Sequence, residues 1–156
     1  MRQADRLECW ALGRSPKESL RLALRTSQPC WTVTRDGFPL AMFGVAATSL
    51  ADGRGTIWML GTESVYREGR ALLELGPVLL AAMLVEFRTL GNIVSTGNAR
   101  AIRMLRRWGF DIGEERYTYR GVEFAPFQIE RPAVEVAGGF GVDGLAGLAH
   151  RRACGS

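Results

Sequence analysis

The chain has almost no histidine or lysine, since His150 is its only histidine and Lys17 its only lysine. Its three cysteines, Cys9, Cys30 and Cys154, show no CxxC spacing. The sequence therefore predicts no metal site. An odd number of cysteines is typical of proteins from a reducing compartment, so we expect a cytoplasmic location.

Long apolar runs are also lacking. The longest, residues 78–85, is far shorter than the roughly 20 residues that a membrane-spanning helix needs. Residues 1–6 lack the apolar centre of a signal peptide. We therefore expect no membrane partner.

The basic residues are nearly all arginine, and the formal net charge is +4. Arginine suits phosphate binding. The charges are spread along the sequence, however, so we do not expect a nucleic-acid partner.

The 156 residues, 47% of them hydrophobic, are enough for one ordinary domain, which we place at residues 1–131. Residues 132–156 are rich in glycine and alanine and show no sustained periodicity. Disorder is the default for such a tail. We expect it to become ordered only on a partner, as a docking arm.

The patterning predicts the element order α-α-β-β-β-α-β-α-β-β. Ser15, followed by Pro16 and then Glu18, is a capping box that opens a helix. Asp36-Gly37 between two β-rich runs predicts a tight hairpin. Pro77, inside the apolar stretch at residues 70–88, predicts a kink or break.

The stretch at residues 92–110 predicts a strand, a helix and a second strand. Asn98 is a good helix N-cap, and apolar residues recur at helical spacing after it. Gly109 is at the position of a left-handed C-terminal cap. Helix-connected strands are parallel and hairpins antiparallel. The predicted fold is therefore a mixed α/β sheet with helices on both faces.

These elements resemble the GNAT family of acyl-CoA N-acyltransferases. The resemblance covers residues 32–130 and rests on the element order and on the Asn-x-x-Ala start and Gly-Phe end of the 98–110 segment. It is similar, more narrowly, to a GNAT-like family of tailed bacteriophages that includes internal virion protein A of podophages. The shared features are the Gly-Phe-Pro-Leu-Ala run at residues 37–41, the Trp-bearing strand at 57–60 and the Gly97-Asn98 helix start.

The GNAT resemblance implies a site for the pyrophosphate of acetyl-CoA at a helix start, where backbone N–H groups and the helix dipole favour anions. The corresponding segment here is Tyr-Arg-Glu-Gly-Arg-Ala at residues 66–71. It lacks one glycine of the family pattern and is shorter, and Glu68 adds a repelling charge. The implied cofactor-binding residues are Arg67, Gly69, Arg70, Ala71 and Asn98.

The same resemblance implies a general acid seven residues after Asn98, and that position is Leu105, which has no proton to donate. Tyr117, on the next strand, is the substitute candidate. Glu63, just after the third strand, is the candidate general base. The alternatives are that Tyr117 is an aromatic side chain that only packs, and that Glu63 is a solvated carboxylate in a loop.

Two hypotheses follow from these patterns. The first is a bacteriophage virion or assembly protein on a GNAT-like fold, catalytically degenerate, with phage structural proteins or a second copy as partners. It would be found in the host cytoplasm during assembly and in the virion. The second is an active acetyl-CoA-dependent N-acyltransferase. A fold alone does not decide between them.

Overall fold

The structure is a computed structural model that describes residues 1–132 and the backbone of residues 149–152. The helices are α1 (Gln3–Ala11), α2 (Pro16–Thr26), α3 (Gly69–Glu86) and α4 (Ala99–Arg107), with a 3-10 helix at Glu63–Glu68. The strands are β1 (Ser27–Arg35), β2 (Phe38–Ser49), β3 (Arg54–Gly61), β4 (Thr89–Ser95), β5 (Asp111–Ile112), β6 (Tyr117–Tyr119), β7 (Val122–Glu130) and β8 (Ala149–Arg152).

One mixed sheet organises these elements, in the order β5-β7-β4-β3-β2-β1-β8, with β6 paired to β7. The pair β3–β4, which α3 connects, is parallel, and the other pairs are antiparallel. The predicted mixed sheet is confirmed, and so is the predicted element order up to α4. After α4 the order predicts two strands, whereas the structure has three before the tail, β5, β6 and β7. The sequence did not predict β8, because Ala-His-Arg-Arg has no apolar alternation that would indicate a strand.

The predicted hairpin of β1 and β2 and the hairpin of β6 and β7 both close through two-residue turns. Asp36 and Gly37 have φ angles of 52° and 78°, and Arg120 and Gly121 have φ angles of 48° and 78°. Two consecutive positive φ values are the requirement of a type I′ turn, whose twist matches that of the flanking strands. The local turn chemistry therefore fixes the pairing next to each turn, while the register of β1 and β2 shifts further along, between Val33 and Thr34 and between Ser27 and Cys30.

Both predicted helix caps are confirmed. The Ser15 Oγ accepts from the Glu18 N–H at 3.3 Å, and the Glu18 Oε2 accepts from the Ser15 N–H at 2.8 Å. The Asn98 Oδ1 accepts from the Ala101 N–H at 3.3 Å. Gly109, with a φ of 89°, ends the α4 segment in the left-handed region.

Of the kink or break predicted at Pro77, the break is wrong, because α3 runs through Pro77 without interruption. The kink stays a prediction. Proline removes one hydrogen bond, and the buried side chains that follow in the helix, Leu79, Leu80 and Met83, anchor it in the core. The neighbouring glycine has a packing role. A Cβ atom on Gly76 would lie 2.0 Å from the Trp108 ring, so only glycine allows α3 to pack this closely against the end of α4.

Helices cover both faces of the sheet. Phe43 lies beside Trp108, with 6.2 Å between ring centroids. The next residue, Gly44, contacts the Trp58 ring instead. Since successive residues of a strand point to opposite faces, Trp108 and Trp58 lie on opposite faces. Helix α2 packs on β1 and β2.

Within residues 1–132 and 149–152, no helix is long and apolar enough to span a bilayer. The predicted domain boundary at residue 131 follows the last residue of β7. Residues 149–152 of the predicted tail pair with β1 of the same chain, contrary to the expectation that the tail becomes ordered only on a partner. Residues 133–148 and 153–156 lie outside the described residues, so their disorder stays a prediction.

Candidate functional site

The sheet splits between its two parallel strands. Strands β3 and β4 pair only at their starts, and the last paired residues are Thr56 and Gly91. Just beyond them the Asn92 Nδ2 donates to the Ile57 carbonyl oxygen at 2.8 Å, which bridges the two strands by a side chain. The remaining residues of β3 and β4 diverge and leave a gap in the centre of the sheet.

A cavity of about 290 Å³ lies at this gap, and we call it the split cavity. Its walls include Trp58 and the α2 residue Leu22 on one face, and Phe43 and Trp108 on the other. The split cavity therefore reaches through the sheet. Most of its lining is apolar, and its charged lining residues, Arg2, Asp5, Glu8 and Arg14, come from α1 and the residues on either side of it.

Helix α1 binds the end of β3 through a buried ion pair. The Asp5 carboxylate contacts the Arg2 guanidinium at 2.6 Å, and both side chains are nearly fully buried. The Asp5 Oδ2 also accepts from the Gly61 N–H at 2.9 Å, and the Arg2 N–H donates to the Gly61 carbonyl oxygen at 2.8 Å. Both backbone polar groups of Gly61, the last residue of β3, are thus bound by the α1 region.

The second α1 carboxylate, Glu8, binds the end of β4. Its Oε1 accepts from the Ser95 N–H at 3.2 Å and from the Asn98 Nδ2 at 3.0 Å. Burial raises the pKa of Glu8 above its usual value of 4.5, and the two hydrogen bonds oppose this shift only in part. We call Arg2, Asp5 and Glu8 the α1 charge cluster.

A second concavity of about 420 Å³ lies between the start of α3 and α4. We call it the arginine groove, because its charged lining residues are Arg2, Arg67, Arg100, Arg103 and Arg107. None of the described residues that line it is Asp or Glu. Its walls are completed by apolar side chains of α3 and α4, among them Leu72 and Met104.

Two contacts shape the mouth of this groove. The Arg100 guanidinium lies over the Tyr66 ring at 4.5 Å, within the range of cation–π attraction. Glu68, which the sequence suggested would repel an anion, forms an ion pair with Arg35 instead. Its charge is therefore compensated by a residue outside the groove.

The candidate catalytic residues lie apart from both concavities. Glu63 begins the 3-10 helix, is exposed, and accepts from the Gln3 N–H at 2.8 Å. Tyr117 is exposed on β6 and donates to the Glu115 carboxylate at 2.9 Å, and this hydrogen bond raises the pKa of Tyr117. Neither residue lines the split cavity or the arginine groove. Leu105 is buried in the core.

The candidate cofactor residues divide between the two concavities. Arg67 and Gly69 line the arginine groove, and Asn98 lines the split cavity. Arg70 and Ala71 line neither, and Arg70 forms an exposed ion pair with Glu74 at 3.2 Å. The helix start at Gly69 is open, since no atom outside its own neighbours would lie within 4 Å of a Cβ there.

Sequence reasoning missed Glu8. It is a single glutamate in a short N-terminal helix, and its partners Ser95 and Asn98 lie 87 and 90 residues further along the chain. No local pattern predicts such a contact. In the sequence the arginines are spread along the chain, and only the fold shows that three of those in α4 line one groove with Arg67.

No family model matches the chain, and no curated protein matches its sequence. Solved acetyltransferase structures do match its fold. A spermidine N-acetyltransferase chimera from Vibrio cholerae has a TM-score of 0.53 at 12% identity; the match covers 64% of this chain and 65% of that one. A probable acetyltransferase has a TM-score of 0.59 at 14% identity, covering 81% of this chain and 80% of that one. An aminoglycoside acetyltransferase in complex with coenzyme A and kanamycin has a TM-score of 0.54 at 17% identity, covering 70% of each chain. This chain therefore has the fold of the GNAT acetyltransferases.

Proposed function

We propose that this protein is a bacteriophage virion or assembly protein that uses a GNAT fold without acetyl transfer. The observation that carries the loss of catalysis is Leu105, which is 7% exposed in the core at the position that the family resemblance gives to the general acid. A leucine there can neither donate nor accept a proton. The phage role rests on the resemblance at residues 37–41, 57–60 and 97–98.

The positions of the other catalytic candidates support the same proposal. Glu63 and Tyr117 line neither concavity, and each already has a hydrogen-bond partner. General acid–base catalysis needs both groups within hydrogen-bond reach of one substrate. Helix α1 also binds both backbone polar groups of Gly61, at the end of the strand that borders the split cavity.

The direct test is to measure thiol release from acetyl-CoA with a panel of amines, including spermidine, an aminoglycoside and a lysine peptide. We expect no release above the background without protein. In parallel, mass spectrometry of particles of the phage that encodes the chain should detect the protein, either in mature virions or in assembly intermediates. Amine-dependent turnover, or absence from every particle form, would overturn the proposal.

The tail provides a second test of the assembly role. We propose that residues 132–156 dock on a phage structural protein or on a second copy of this chain. Deletion of residues 132–156 should leave a folded domain that no longer associates, as measured by size-exclusion chromatography with light scattering. A matched deletion of residues 153–156 retains β8 and separates loss of that strand from loss of the chain end. Normal association of the longer deletion would contradict the docking role.

An acetyl-CoA-dependent N-acyltransferase is the second candidate, and the arginine groove is the observation that favours it. Its arginines border the open helix start at Gly69, and both features suit the phosphates of acetyl-CoA. A ligand that binds only the folded state stabilises it by about 2.7 kcal/mol at 100 times its Kd. A rise in Tm with acetyl-CoA that Gly69→Asp abolishes would support this candidate.

A further inference from the structure

We propose that the arginine groove binds single-stranded nucleic acid through its phosphate backbone. The expectation of no nucleic-acid partner rested on the spread of arginines along the sequence. The fold gathers them, since Arg67 of the 3-10 helix faces Arg100, Arg103 and Arg107 of α4 across one concavity. A cluster of exposed arginines on one surface is the electrostatic footprint of nucleic-acid binding.

These arginines have no carboxylate partners within residues 1–132. The ion pairs in that part of the chain use other residues, and among arginines these are Arg2, Arg35, Arg70 and Arg116. Arg70 lies beside the groove and has Glu74 as its partner, whereas Arg67, three residues earlier, has no such partner. The groove therefore brings four arginines without a carboxylate partner, Arg67, Arg100, Arg103 and Arg107, into one concavity.

The spacing of the arginines fits a strand that runs along α4. Arg100, Arg103 and Arg107 are three and four residues apart, which spaces them over roughly 10 Å of the helix axis. Arg67 and Tyr66 lie on the opposite wall. A concavity of about 420 Å³ is too small for a duplex, but it can hold part of one extended strand.

Tyr66 and Arg100 add a stacking surface. The Arg100 guanidinium lies 4.5 Å from the centre of the Tyr66 ring, so the ring holds a planar cation at the groove. Bases of single strands stack on aromatic rings and on arginine guanidinium planes without strong sequence preference. Such a site combines backbone neutralisation with base stacking.

The test uses fluorescence anisotropy of the full chain with a labelled oligothymidylate of about 12 nucleotides at about 50 mM salt. We expect saturable binding that weakens as salt rises. Each arginine–phosphate contact contributes about 0.7 to the slope of log K against log salt for a single strand. The double variant Arg103→Gln/Arg107→Gln should therefore bind about 50-fold or more weakly, with a slope smaller by about 1.4.

Arg106→Gln is the matched control, because Arg106 is exposed on the same helix but does not line the groove. It removes one positive charge, as Arg67→Gln does and where the double variant removes two, and its affinity should stay within about threefold of the wild type. Arg67→Gln tests the opposite wall and should weaken binding as a groove variant does. Since the change lies outside α4, it also guards against a folding defect of that helix.

Three results would overturn the proposal. The first is no oligonucleotide binding at low salt. The second is an equal loss of affinity for Arg106→Gln and the groove variants, because net charge rather than the groove would then account for it. The third is a groove that binds acetyl-CoA but not the oligonucleotide. Displacement of bound oligonucleotide by acetyl-CoA would support the groove as its site.

Discussion

The arginine groove and the α1 charge cluster are neighbours, since Arg2 lines both concavities. They differ in whether their charged side chains have partners in the protein. In the cluster, the buried Arg2 and Asp5 form an ion pair and Asp5 also binds Gly61, while the half-buried Glu8 accepts hydrogen bonds from Ser95 and Asn98. In the groove, exposed arginines have no carboxylate partner among the described residues. Paired charges fix the ends of β3 and β4, whereas unpaired charges are available to a ligand.

The largest expected effect of breaking this contrast is at Asp5. Asp5→Ala leaves the Arg2 guanidinium buried without its partner and the Gly61 N–H without its acceptor. Loss of one partner of a buried ion pair costs about 3–5 kcal/mol. We expect the free energy of unfolding, measured by urea denaturation, to fall by at least about 3 kcal/mol.

The matched control is the double variant Arg2→Met/Asp5→Leu, which removes both charges and keeps apolar volume. Apolar replacement of a whole buried ion pair is often nearly neutral. The double variant should therefore be more stable than Asp5→Ala. An Asp5→Ala protein with an unchanged urea midpoint would show that the ion pair does not hold α1 in place.

The next effect in size is at Asn98, which joins Glu8 of the cluster to the start of α4. Asn98→Ala removes the cap of α4 and one of the two hydrogen bonds to Glu8. Loss of a helix cap costs about 1 kcal/mol. Asn98→Asp retains the capping oxygen but places a carboxylate beside Glu8. It should therefore restore the urea midpoint of the wild type only at low pH, where the Glu8 carboxyl is protonated.

The sequence predicted the parts of this arrangement that depend on neighbouring residues. The Asn98 cap, the Asp36-Gly37 turn and the capping box at Ser15 follow from side chains within three or four positions of each other. The Glu8 contact and the groove formed by Arg67 and α4 depend on how distant elements pack. At Pro77 the local pattern predicts the wrong outcome, because tertiary packing overrides the local preference of proline to break a helix.

The raised pKa of Glu8 gives the cluster a pH dependence. Burial makes the folded state retain the Glu8 proton at pH values where the unfolded chain has already lost it. The stabilisation from this group is full below pH 4.5 and is lost as pH rises through the raised folded-state pKa. Glu8→Gln does not titrate, so its stability relative to the wild type should rise over that window.

Urea midpoints of Glu8→Gln and the wild type, measured from about pH 4 to about pH 8, test the direction of this pH dependence. Glu18→Gln is the opposite case, because hydrogen bonds from Ser15 lower the pKa of Glu18. The stabilisation that the Glu18 carboxylate provides in the wild type is present above pH 4.5 and is lost as pH falls through the lowered pKa of Glu18. A Glu8→Gln profile parallel to that of the wild type would mean that Glu8 titrates alike in the folded and unfolded states.

The smallest expected effect is in the arginine groove, at Arg103. It has arginines three residues before it and three and four residues after it, and like charges at these spacings destabilise a helix by about 0.2–0.5 kcal/mol each. Arg103→Gln relieves this repulsion at almost the same helix propensity. We expect the free energy of unfolding to rise by about 0.5 kcal/mol at low salt, and the gain to disappear near 1 M salt, where screening extends over only about 3 Å.

Arg70→Gln is the control that closes the comparison. It is the same substitution on an exposed helix, but Arg70 has a carboxylate partner, Glu74, one turn away. Loss of the Arg70–Glu74 ion pair opposes the gain from removing a cation at the start of α3, so Arg70→Gln should raise stability less than Arg103→Gln at low salt. If both lower stability equally, Arg103 has a stabilising partner in the folded protein, and the groove would not carry the uncompensated charge that a polyanion requires.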